Sequence, residues 1–288
     1  MGKAERAPAD RNPQAGMMAD ESMVRTLTMQ AEAIWPQEEP LLARYRLADQ
    51  CRILDVGCGT GEISARLARH YGGAQVTGVD VLEGPLAIAR SRYPEVAQRL
   101  KFEVGDAFHL AFPDASFDLS VCRHMLQAVP DARSVLAELV RVTRAGGWLH
   151  VLSEDYGMLH MMSGPLDPDR FWQLGPVQFA ERTGTDARFG RKTWSAMRAL
   201  GLQELRVDYA IVDTLRVARE VFAGIIVAWR DGYTEALATQ SGLSPAAIRQ
   251  HFDEIVASIR NPDDYAVWFV PIVSGRVGQR NAGVSTAK

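Results

Sequence analysis

The chain has 288 residues, a formal net charge of −3, and 47% hydrophobic and 23% charged residues. This composition predicts a globular protein with a substantial core and excludes a largely disordered chain. The small negative charge, with no basic run or stripe, argues against a nucleic-acid-binding surface. The longest apolar run, 221–229, has half of the ~18–20 residues that span a bilayer, so it predicts a buried helix and no membrane association.

The two ends of the chain differ from the rest. Residues 1–20 are rich in Ala, Pro, Gly and charge and lack the apolar core of a signal peptide, so we predict a disordered tail there and at 276–288. Residues 21–50 predict an N-terminal helical arm that Pro36 and Pro40 break. Its apolar side would pack on the domain or on a neighbouring subunit, which leaves a monomer and a homodimer both open.

The segment 53–61 reads Ile-Leu-Asp-Val-Gly-Cys-Gly-Thr-Gly, an apolar strand followed by a turn with alternate glycines and then a helical pattern. Glycine permits positive φ and lets a ligand lie against bare main chain. The helix directs its unpaired N–H groups and positive dipole end at the turn. A dinucleotide fingerprint would need glycine where Glu62 stands. Glu62 and Asp55 would repel a diphosphate but tolerate or attract a ligand with positive charge.

Acidic residues also lie at the ends of the next two predicted strands. Asp80 ends the strand 75–80 and lies 19 residues beyond Gly61, where an acid can accept both hydroxyls of a ribose. Asp106 lies near the end of the strand 101–107. Strands 117–122 and 148–153 follow, with helical patterns between the first strands. This alternation predicts a parallel sheet with right-handed crossovers in a core at 51–153.

The second half of the chain is predicted to complete the sheet. Asp131 would cap a helix over 132–144, with Gly146 or Gly147 just past its end, and Ser244-Pro245 would open another helix. A further helix is predicted at 191–200. Two further strands are predicted at 205–212 and 265–273 and bring the number of strands to seven. Pro271 favours a sheet edge for the last strand. Residues 190–275 thus form the remainder of the core, and 154–189 and the helical pair 214–260 are insertions.

Residues 53–153 resemble the core of a class I S-adenosylmethionine-dependent methyltransferase, and more narrowly the branch that methylates quinones and natural products of secondary metabolism. The matching segments are Asp55-Val-Gly-Cys-Gly-Thr-Gly61, Val79-Asp80, Gly105-Asp106-Ala107, Phe117-Asp118, and 136–142 leading to Gly146-Gly147. The resemblance implies an α/β fold with a Rossmann-like, seven-stranded, mostly parallel sheet and helical lid insertions. It also implies S-adenosyl-L-methionine as cofactor and S-adenosyl-L-homocysteine as product.

The same resemblance implies roles for individual residues in cofactor binding. Asp80 would hold the ribose diol, and Asp106 would accept from the adenine amino group while the Ala107 N–H donates to the ring. Gly57, Gly59 and Gly61 would flank the methionine part of the cofactor. The other predicted cofactor-binding residues are Asp55, Cys58, Val81, Phe108 and Arg123.

The two insertions predict the binding site for the methyl acceptor. Ligands of open α/β sheets bind beyond the carboxyl ends of the strands, where the insertion 154–189 begins. Its methionines and aromatic residues, with those of 214–260, predict an apolar and aromatic pocket for a small, largely apolar molecule with an aromatic or prenyl-like part. The predicted substrate-binding residues are Gln127, Asp155, Tyr156, His160, Trp172 and Phe222.

His124 is the leading candidate for a general base. It follows the fourth strand, where the chain would pass the methyl end of the cofactor, and histidine titrates near neutrality. A structural role in packing or in holding the loop is the alternative. Asp155, Tyr156 and His160 are the reserve candidates. In-line methyl transfer depends mostly on positioning, and a base that deprotonates a hydroxyl or amine contributes about 10²–10⁴-fold.

Neither the cysteines nor the histidines indicate a metal or a disulfide. The cysteines at 51, 58 and 122 show neither pairing nor metal-ligand spacing, which predicts a reduced, cytoplasmic protein. The six histidines are scattered, so we expect no metal site.

Two other functions stay open. A nucleic-acid methyltransferase of the amino-methylating type would have an Asn/Asp-Pro-Pro-aromatic motif where this chain has Cys-Arg-His-Met, at 122–125. A non-methylating protein, for instance a cyclase, could hold the same cofactor, because binding a cofactor and transferring its methyl group are separate facts. The sequence does not name the acceptor or the atom that is methylated.

Overall fold

A single mixed sheet forms the centre of the fold. The computed structural model describes residues 13, 14, 17, 21–162 and 164–279; the predicted tails 1–20 and 276–288 lie mostly outside these residues. The sheet in the described residues has eight strands: β1 (Arg52–Val56), β2 (Gln75–Asp80), β3 (Leu100–Val104), β4 (Phe117–Arg123), β5 (Thr143–Leu152), β6 (Leu159–Met161), β7 (Gln203–Asp213) and β8 (Ala266–Arg276). The expected seven strands are present, and the short β6 is an addition.

The strand order is β3-β2-β1-β4-β5-β8-β6, and β7 pairs with the other edge of β8. The pairs from β3 to β5 are parallel, whereas β8 runs antiparallel to β5, β6 and β7. In β1, Ile53, Leu54 and Val56 are all fully buried, as expected for a parallel strand that helices cover on both faces. The mostly parallel α/β fold predicted from the sequence is confirmed.

Nine α-helices surround the sheet in the described part of the chain: α1 (Glu21–Leu42), α2 (Glu62–His70), α3 (Glu83–Arg92), α4 (Ala132–Val142), α5 (Pro168–Trp172), α6 (Gln178–Thr183), α7 (Gly190–Ala199), α8 (Arg219–Ser241) and α9 (Pro245–Arg260). Two predicted caps are confirmed, because Asp131 accepts from the Ser134 N–H and Ser244 accepts from the Ala247 N–H. The apolar run 221–229 lies in α8, as a mostly buried stretch. None of the described helices is long and apolar enough to cross a membrane.

The N-terminal arm is one continuous helix, so the predicted break at Pro36 and Pro40 is wrong. Each proline removes an intrahelical hydrogen bond, but α1 is buried on two sides. Ile34 packs into the cluster formed with α8 and α9, while Trp35 packs into the cluster with β1 and α2. This burial offsets the two lost hydrogen bonds and fixes the arm on its own chain.

The predicted edge position of Pro271 is also wrong, because β8 is paired on both sides. Pro271 stands opposite Tyr209 of β7. The Phe269 N–H donates to a carbonyl on the β5–β6 side, and Pro271, two residues on, faces the same side. There β8 leaves β5 at Ile272 and meets β6 at Trp268, so Pro271 lies in the gap between two ladders. The missing N–H therefore costs no ladder bond.

The predicted helix end at Gly146 or Gly147 is a third correction. The helix α4 ends at Val142 and β5 begins at the next residue, so both glycines lie within β5. A Cβ atom at Gly147 would lie 2.8 Å from the Asp118 carbonyl oxygen. Glycine is needed there because β4 approaches closely, not because a helix ends.

The insertions build a helical layer over one end of the sheet. Residues 154–189 contribute β6, α5 and α6, and 214–260 contribute α8 and α9. The long helix α8 packs against both α1 and α9. Together these elements enclose space at the carboxyl ends of the parallel strands, where ligands of such sheets bind.

Candidate active site

A cavity of about 360 Å³ lies where the parallel strands end. Its floor comprises the ends of β1, β2 and β4, and its roof comprises α1 and the insertions. Gly57, Gly59, Asp80, Arg123 and His124 all line it. The remaining predicted residues that line it are Val81, Asp106, Ala107, Phe108, Gln127, Tyr156 and Trp172. The structure thus brings most of the sequence-predicted site together.

Backbone hydrogen bonds attach the glycine turn between β1 and α2 to β2. The N–H groups of Gly57 and Cys58 both donate to the Val79 carbonyl, at 2.8 and 3.1 Å. Gly57 and Gly59 have φ of 74° and 52°, a region that favours glycine. A Cβ at Gly57 would lie 2.8 Å from Met125 Sδ. The turn therefore has no room for a side chain at Gly57 or Gly59 and presents main chain to the cavity at these two residues.

Asp80 closes the end of β2 and is held by backbone donors. The Gly59 N–H donates to Oδ2 at 2.8 Å, and the Leu82 N–H donates to Oδ1 at 3.0 Å. Burial raises the pKa of this carboxyl, and the backbone N–H groups oppose that shift. Each carboxylate oxygen can accept a second hydrogen bond. Asp80 is therefore oriented to accept two hydroxyls from a ligand.

Asp106 lies in the loop beyond β3 rather than on the strand, which ends at Val104. Its Oδ1 accepts from the Phe108 N–H at 2.9 Å, which shapes the loop over the cavity. Ala107 and Phe108 line the cavity beside it. A carboxylate beside an apolar ring can hold a flat heterocycle that carries an amino group.

Three predicted cofactor residues do not line the cavity. Asp55 is buried below the turn, where the Ser64 hydroxyl donates to Oδ2 at 2.6 Å. Burial raises the pKa of Asp55 to about 6, and the hydrogen bond from Ser64 opposes the shift. Cys58 is buried against β2, and burial raises the pKa of its thiol. Gly61 is the N-cap of α2, with Phe102 and Ala89 in front of it. These three residues support the conformation of the turn from the side that faces away from the cavity.

His124 follows β4 in a left-handed conformation with φ of 53°. Its Nδ1 lies 2.7 Å from Oε1 of Glu154, and its Nε2 is buried without a partner among the described residues. Burial lowers the pKa of His124, although Glu154 opposes the shift. The ring is therefore neutral near pH 7. Because its neighbour is a carboxylate, we assign the proton to Nδ1, which leaves the lone pair on Nε2.

Arg123 is part of a buried network that reaches the N-terminal arm. Its Nη2 lies 2.8 Å from Oε2 of Glu38, and Oε1 of Glu38 lies 2.9 Å from His150 Nε2. The Tyr45 hydroxyl lies 2.5 Å from the other nitrogen of His150. Burial alone would raise the pKa of Glu38, but Arg123 and His150 outweigh it and lower the pKa to about 2. Arg123 is thus already paired and does not offer a free cation.

The part of the cavity under the insertions is aromatic. The ring centroid of Tyr156 lies 5.9 Å from that of Trp172 and 5.5 Å from that of Trp229. The two indoles are perpendicular, with an interplanar angle of 89°. Further lining residues are Phe179, Tyr233, Leu237 and Phe252. Burial and the nearby Glu154 raise the pKa of Tyr156 well above its ordinary value, so it is a poor base near pH 7.

Three predicted acceptor-binding residues lie elsewhere. Asp155 turns away toward α7, where Arg191 Nε and Nη2 lie 2.5 and 2.7 Å from its two oxygens. His160 lies on the short edge strand β6 with its side chain 54% exposed. Phe222 is fully buried in the apolar cluster under α8. Asp155 and His160 are therefore not available as bases in this cavity.

The sequence reasoning missed Glu154 and the contribution of α1. Glu154 lines the cavity, whereas the sequence predicts its neighbour Asp155 as an acceptor-binding residue. Gln30 of α1 also lines the cavity, and its Nε2 donates to Glu154 Oε1 at 3.1 Å. No local motif marks Gln30 or Glu38, because their partners are 124 and 112 residues away in the chain. All three cysteines are free and buried.

The geometry fits a nucleoside that carries an amino-acid chain. Asp80 suits a ribose diol, and the Asp106 loop suits an adenine. Gly57, Gly59 and His124 line the same cavity, and the glycines leave their main chain accessible to a slender chain. In the part of the chain that the structure describes, no cluster of three His, Cys, Asp or Glu side chains could hold a metal ion.

Comparison with known proteins points the same way. Residues 54–151 match a family model described as a methyltransferase domain. The methyltransferase GfsG of Streptomyces halstedii is 36% identical over 142 residues, 49% of this chain and 50% of that protein. The ubiquinone biosynthesis O-methyltransferase of Hahella chejuensis is 42% identical over 96 residues, 33% of this chain and 40% of that protein. The chain thus spans half or less of the length of these curated relatives.

Solved structures share the fold over a larger part of the chain. The cyclase SpnF matches with a TM-score of 0.55 and 22% identity, over 84% of this chain and 81% of that one. Other solved structures of this fold hold S-adenosylmethionine or S-adenosylhomocysteine. At these identities the likeness concerns the fold alone.

Proposed function

Because this chain contains a class I S-adenosylmethionine-dependent methyltransferase domain of the small-molecule type, we propose that the protein methylates a small, largely apolar acceptor. The observation that carries this proposal is the division of one cavity into two halves. The strand ends and the glycine turn suit the cofactor, and the insertions supply an aromatic compartment. The His124–Glu154 pair lies in the wall of the same cavity.

S-adenosylmethionine supplies a methyl group that its positively charged sulfur has already activated. The protein then has to hold the acceptor in line with that group and to exclude water, and alignment of this kind accounts for as much as ~7–11 kcal/mol of a barrier. Asp80 and the glycine turn would fix one partner. Tyr156, Trp172 and Trp229 would fix the other and keep the site dry.

An acceptor hydroxyl or amine also has to lose a proton, and His124 is proposed to take it at Nε2. Three features support this role: a neutral ring, an Nδ1 that faces the Glu154 carboxylate, and an Nε2 with no protein partner among the described residues. Glu154 would stabilise the imidazolium that forms. Gln127 lies beside this pair, with its Oε1 facing the Glu154 N–H at 3.4 Å.

The charges of the cavity favour an acceptor without phosphate or carboxylate groups. Asp80, Asp106 and Glu154 all line it, whereas Arg123 is the sole Lys or Arg among the described lining residues and is already paired with Glu38. An anionic acceptor would bring further negative charge into a desolvated site whose wall already carries three carboxylates, which is costly. The buried Nε1–H of Trp172 has no partner among the described residues, which supports an acceptor that carries an oxygen atom.

The two alternative functions are less well supported. Methylation of nucleic acid would need a basic surface around the cavity mouth, and the net charge of the chain is −3. A non-methylating cyclisation on the same fold would not need a base that is held by a carboxylate.

The test is to incubate the full chain with S-adenosylmethionine and a panel of acceptors, and to measure S-adenosylhomocysteine. The panel should pair uncharged phenols, quinols and prenylated alcohols with phosphorylated sugars and short RNA. We expect turnover with an uncharged apolar member. Preference for a phosphorylated sugar would refute the acceptor class, and tight cofactor binding without any methylated product across the panel would favour the non-methylating alternative.

A further inference from the structure

One face of α1 contacts both the glycine turn and the residues beside the acceptor half of the cavity. Leu27, Gln30 and Glu38 are spaced at three and eight residues, so they share a helix face. A Cβ at Gly59 would lie 2.7 Å from Leu27 Cδ1, so Leu27 covers the glycine turn. Gln30 contacts Glu154, and Glu38 contacts Arg123. The helix therefore spans the cofactor half of the cavity and the residues beside the acceptor half.

Gln30 acts on the oxygen that holds His124. Its Nε2 donates to Oε1 of Glu154 at 3.1 Å, and the same oxygen lies 2.7 Å from His124 Nδ1. Gln30 and Glu154 are each 3% exposed, so solvent cannot replace either partner. A carboxylate oxygen that accepts two hydrogen bonds is fixed in direction. Its orientation in turn determines which nitrogen of the imidazole carries the proton.

Glu38 contacts the end of β4, directly before His124. It pairs with Arg123, the residue directly before His124, and with His150 in the next strand. Without Glu38, Arg123 would lose its counter-charge, and without Gln30, Glu154 would lose one of its hydrogen-bond donors. The charges at the end of β4 are thus balanced only when α1 is packed against it.

We propose that α1 is a positioning element of the active site, in which Gln30 orients the Glu154 carboxylate that holds His124 and Glu38 anchors the helix through Arg123. The catalytic consequence rests on the proposed function, whereas the effect on the protonation of His124 does not. Gln30 is a positioning residue, because it acts through Glu154 and not on the acceptor.

The proposal predicts how the titration of His124 changes. Its ring is influenced by Glu154, by Arg123 and by Glu38, and burial lowers its pKa. The hydrogen bond from Gln30 draws charge from the Glu154 oxygen. Without it, that oxygen interacts more strongly with Nδ1 and favours the imidazolium. We therefore expect the pKa of His124 to rise by about one unit when the donor is lost, the shift that one hydrogen bond to a charged group supplies.

The chain offers a matched control on the same helix. Gln37 donates from Nε2 to the Ile211 carbonyl at 2.9 Å and accepts from the Ile211 N–H at 3.0 Å. It docks α1 on β7 and touches neither Glu154 nor Arg123. Gln30→Met and Gln37→Met remove the same amide and keep a side chain of similar length on the same helix.

The experiment is an NMR titration of the histidine rings in the full chain, with the His124 resonance assigned by its loss in His124→Asn. Gln30→Met should raise the pKa of His124 by about one unit and shift the acid limb of kcat/KM equally, while Gln37→Met leaves both unchanged. Gln30→Glu, which adds a carboxylate beside Glu154, should raise the pKa further and decides the matter if Gln30→Met does not fold.

An unchanged His124 titration in the folded Gln30 variants would overturn the proposal, as would an equal shift in Gln37→Met. The two proposals fail separately. A shifted His124 titration without any methyl transfer would support the positioning role and contradict the proposed function. Methyl transfer with an unshifted His124 titration would support the proposed function and contradict the positioning role.

Discussion

Nδ1 of His124 lies 2.7 Å from Oε1 of Glu154, and the exposed fractions of the two side chains are 8% and 4%. Their chain positions are 30 residues apart, at the ends of two adjacent parallel strands. A histidine that faces a buried carboxylate through one nitrogen keeps its lone pair on the other. This relationship underlies the first two predictions.

Replacement of His124 by asparagine should lower kcat by about 10²–10⁴-fold, the usual contribution of a general base. Asparagine tolerates the left-handed conformation of this residue, so the change adds little backbone strain. Cofactor affinity, measured by calorimetry, should stay within a few-fold of the parent. Undiminished turnover would remove His124 from the mechanism and leave it a structural residue.

Replacement of Glu154 by glutamine should shift the pH dependence of activity in a defined direction. The negative charge of Glu154 raises the pKa of His124 against the opposing effect of burial. Without that charge the pKa of His124 falls further, so the acid limb of kcat/KM moves to lower pH. The plateau rate should also fall, because the imidazolium is no longer stabilised. An acid limb that moves upward would contradict this account.

Replacement of Asp80 by asparagine should weaken cofactor binding and spare the chemical step. Loss of hydrogen bonds from ribose hydroxyls to a charged group costs about 1.5–3 kcal/mol, or roughly 10–100-fold in Kd. Rates at saturating cofactor should be close to those of the parent. The matched change Asp106→Asn tests the adenine end, and there the loss should disappear with a cofactor analogue that lacks the exocyclic amino group.

Replacement of Gly59 by alanine should damage the site in two separable ways. The residue has φ of 52°, which costs an alanine roughly 1–2 kcal/mol, and the new Cβ would lie 2.7 Å from Leu27 Cδ1. The double change Gly59→Ala with Leu27→Ala should therefore recover part of the lost stability but not all of it. Urea unfolding of the two single variants and the double variant measures the coupling. Purely additive losses would show that Leu27 does not cover this glycine.

Replacement of Glu38 by glutamine should cost about 3–5 kcal/mol of stability, because it leaves Arg123 buried without its counter-charge. The pKa of Glu38 falls from 4.5 to about 2 on folding. Its contribution to stability is therefore complete above pH 4.5 and is lost as the pH falls toward 2. Urea titrations across that range should show a steeper loss in the parent than in the variant. Parallel curves would mean that the carboxylate is not the source of the stabilisation.

Patterns within short stretches of sequence predicted most of the residues that line the cofactor half of the cavity. The alternate glycines, Asp80 and Asp106 follow successive strands, and the carboxyl ends of parallel strands meet at one edge of a sheet. Their proximity therefore follows from chain order, without knowledge of side-chain packing. His124, at the end of β4, was found by the same reasoning.

The acceptor half depended on contacts that chain order does not imply. The sequence predicts Asp155 at the acceptor, but the structure places Asp155 against Arg191 and its neighbour Glu154 against His124. Only packing distinguishes these two adjacent carboxylates. Pro271 favours a sheet edge in the sequence because a proline normally breaks a ladder, yet β8 has a gap between two partners at that residue.

The sequence by itself predicted the seven main strands, the glycine turn and the position of His124 at the end of β4, because each rests on periodicity or on spacing over a few tens of residues. The tertiary structure alone decided that α1 covers the cavity and that Gln30 and Glu38 reach Glu154 and Arg123. Those partners are buried charges, and their pairing is selected by desolvation in the folded core. Short sequence patterns do not contain the information that sets this desolvation free energy.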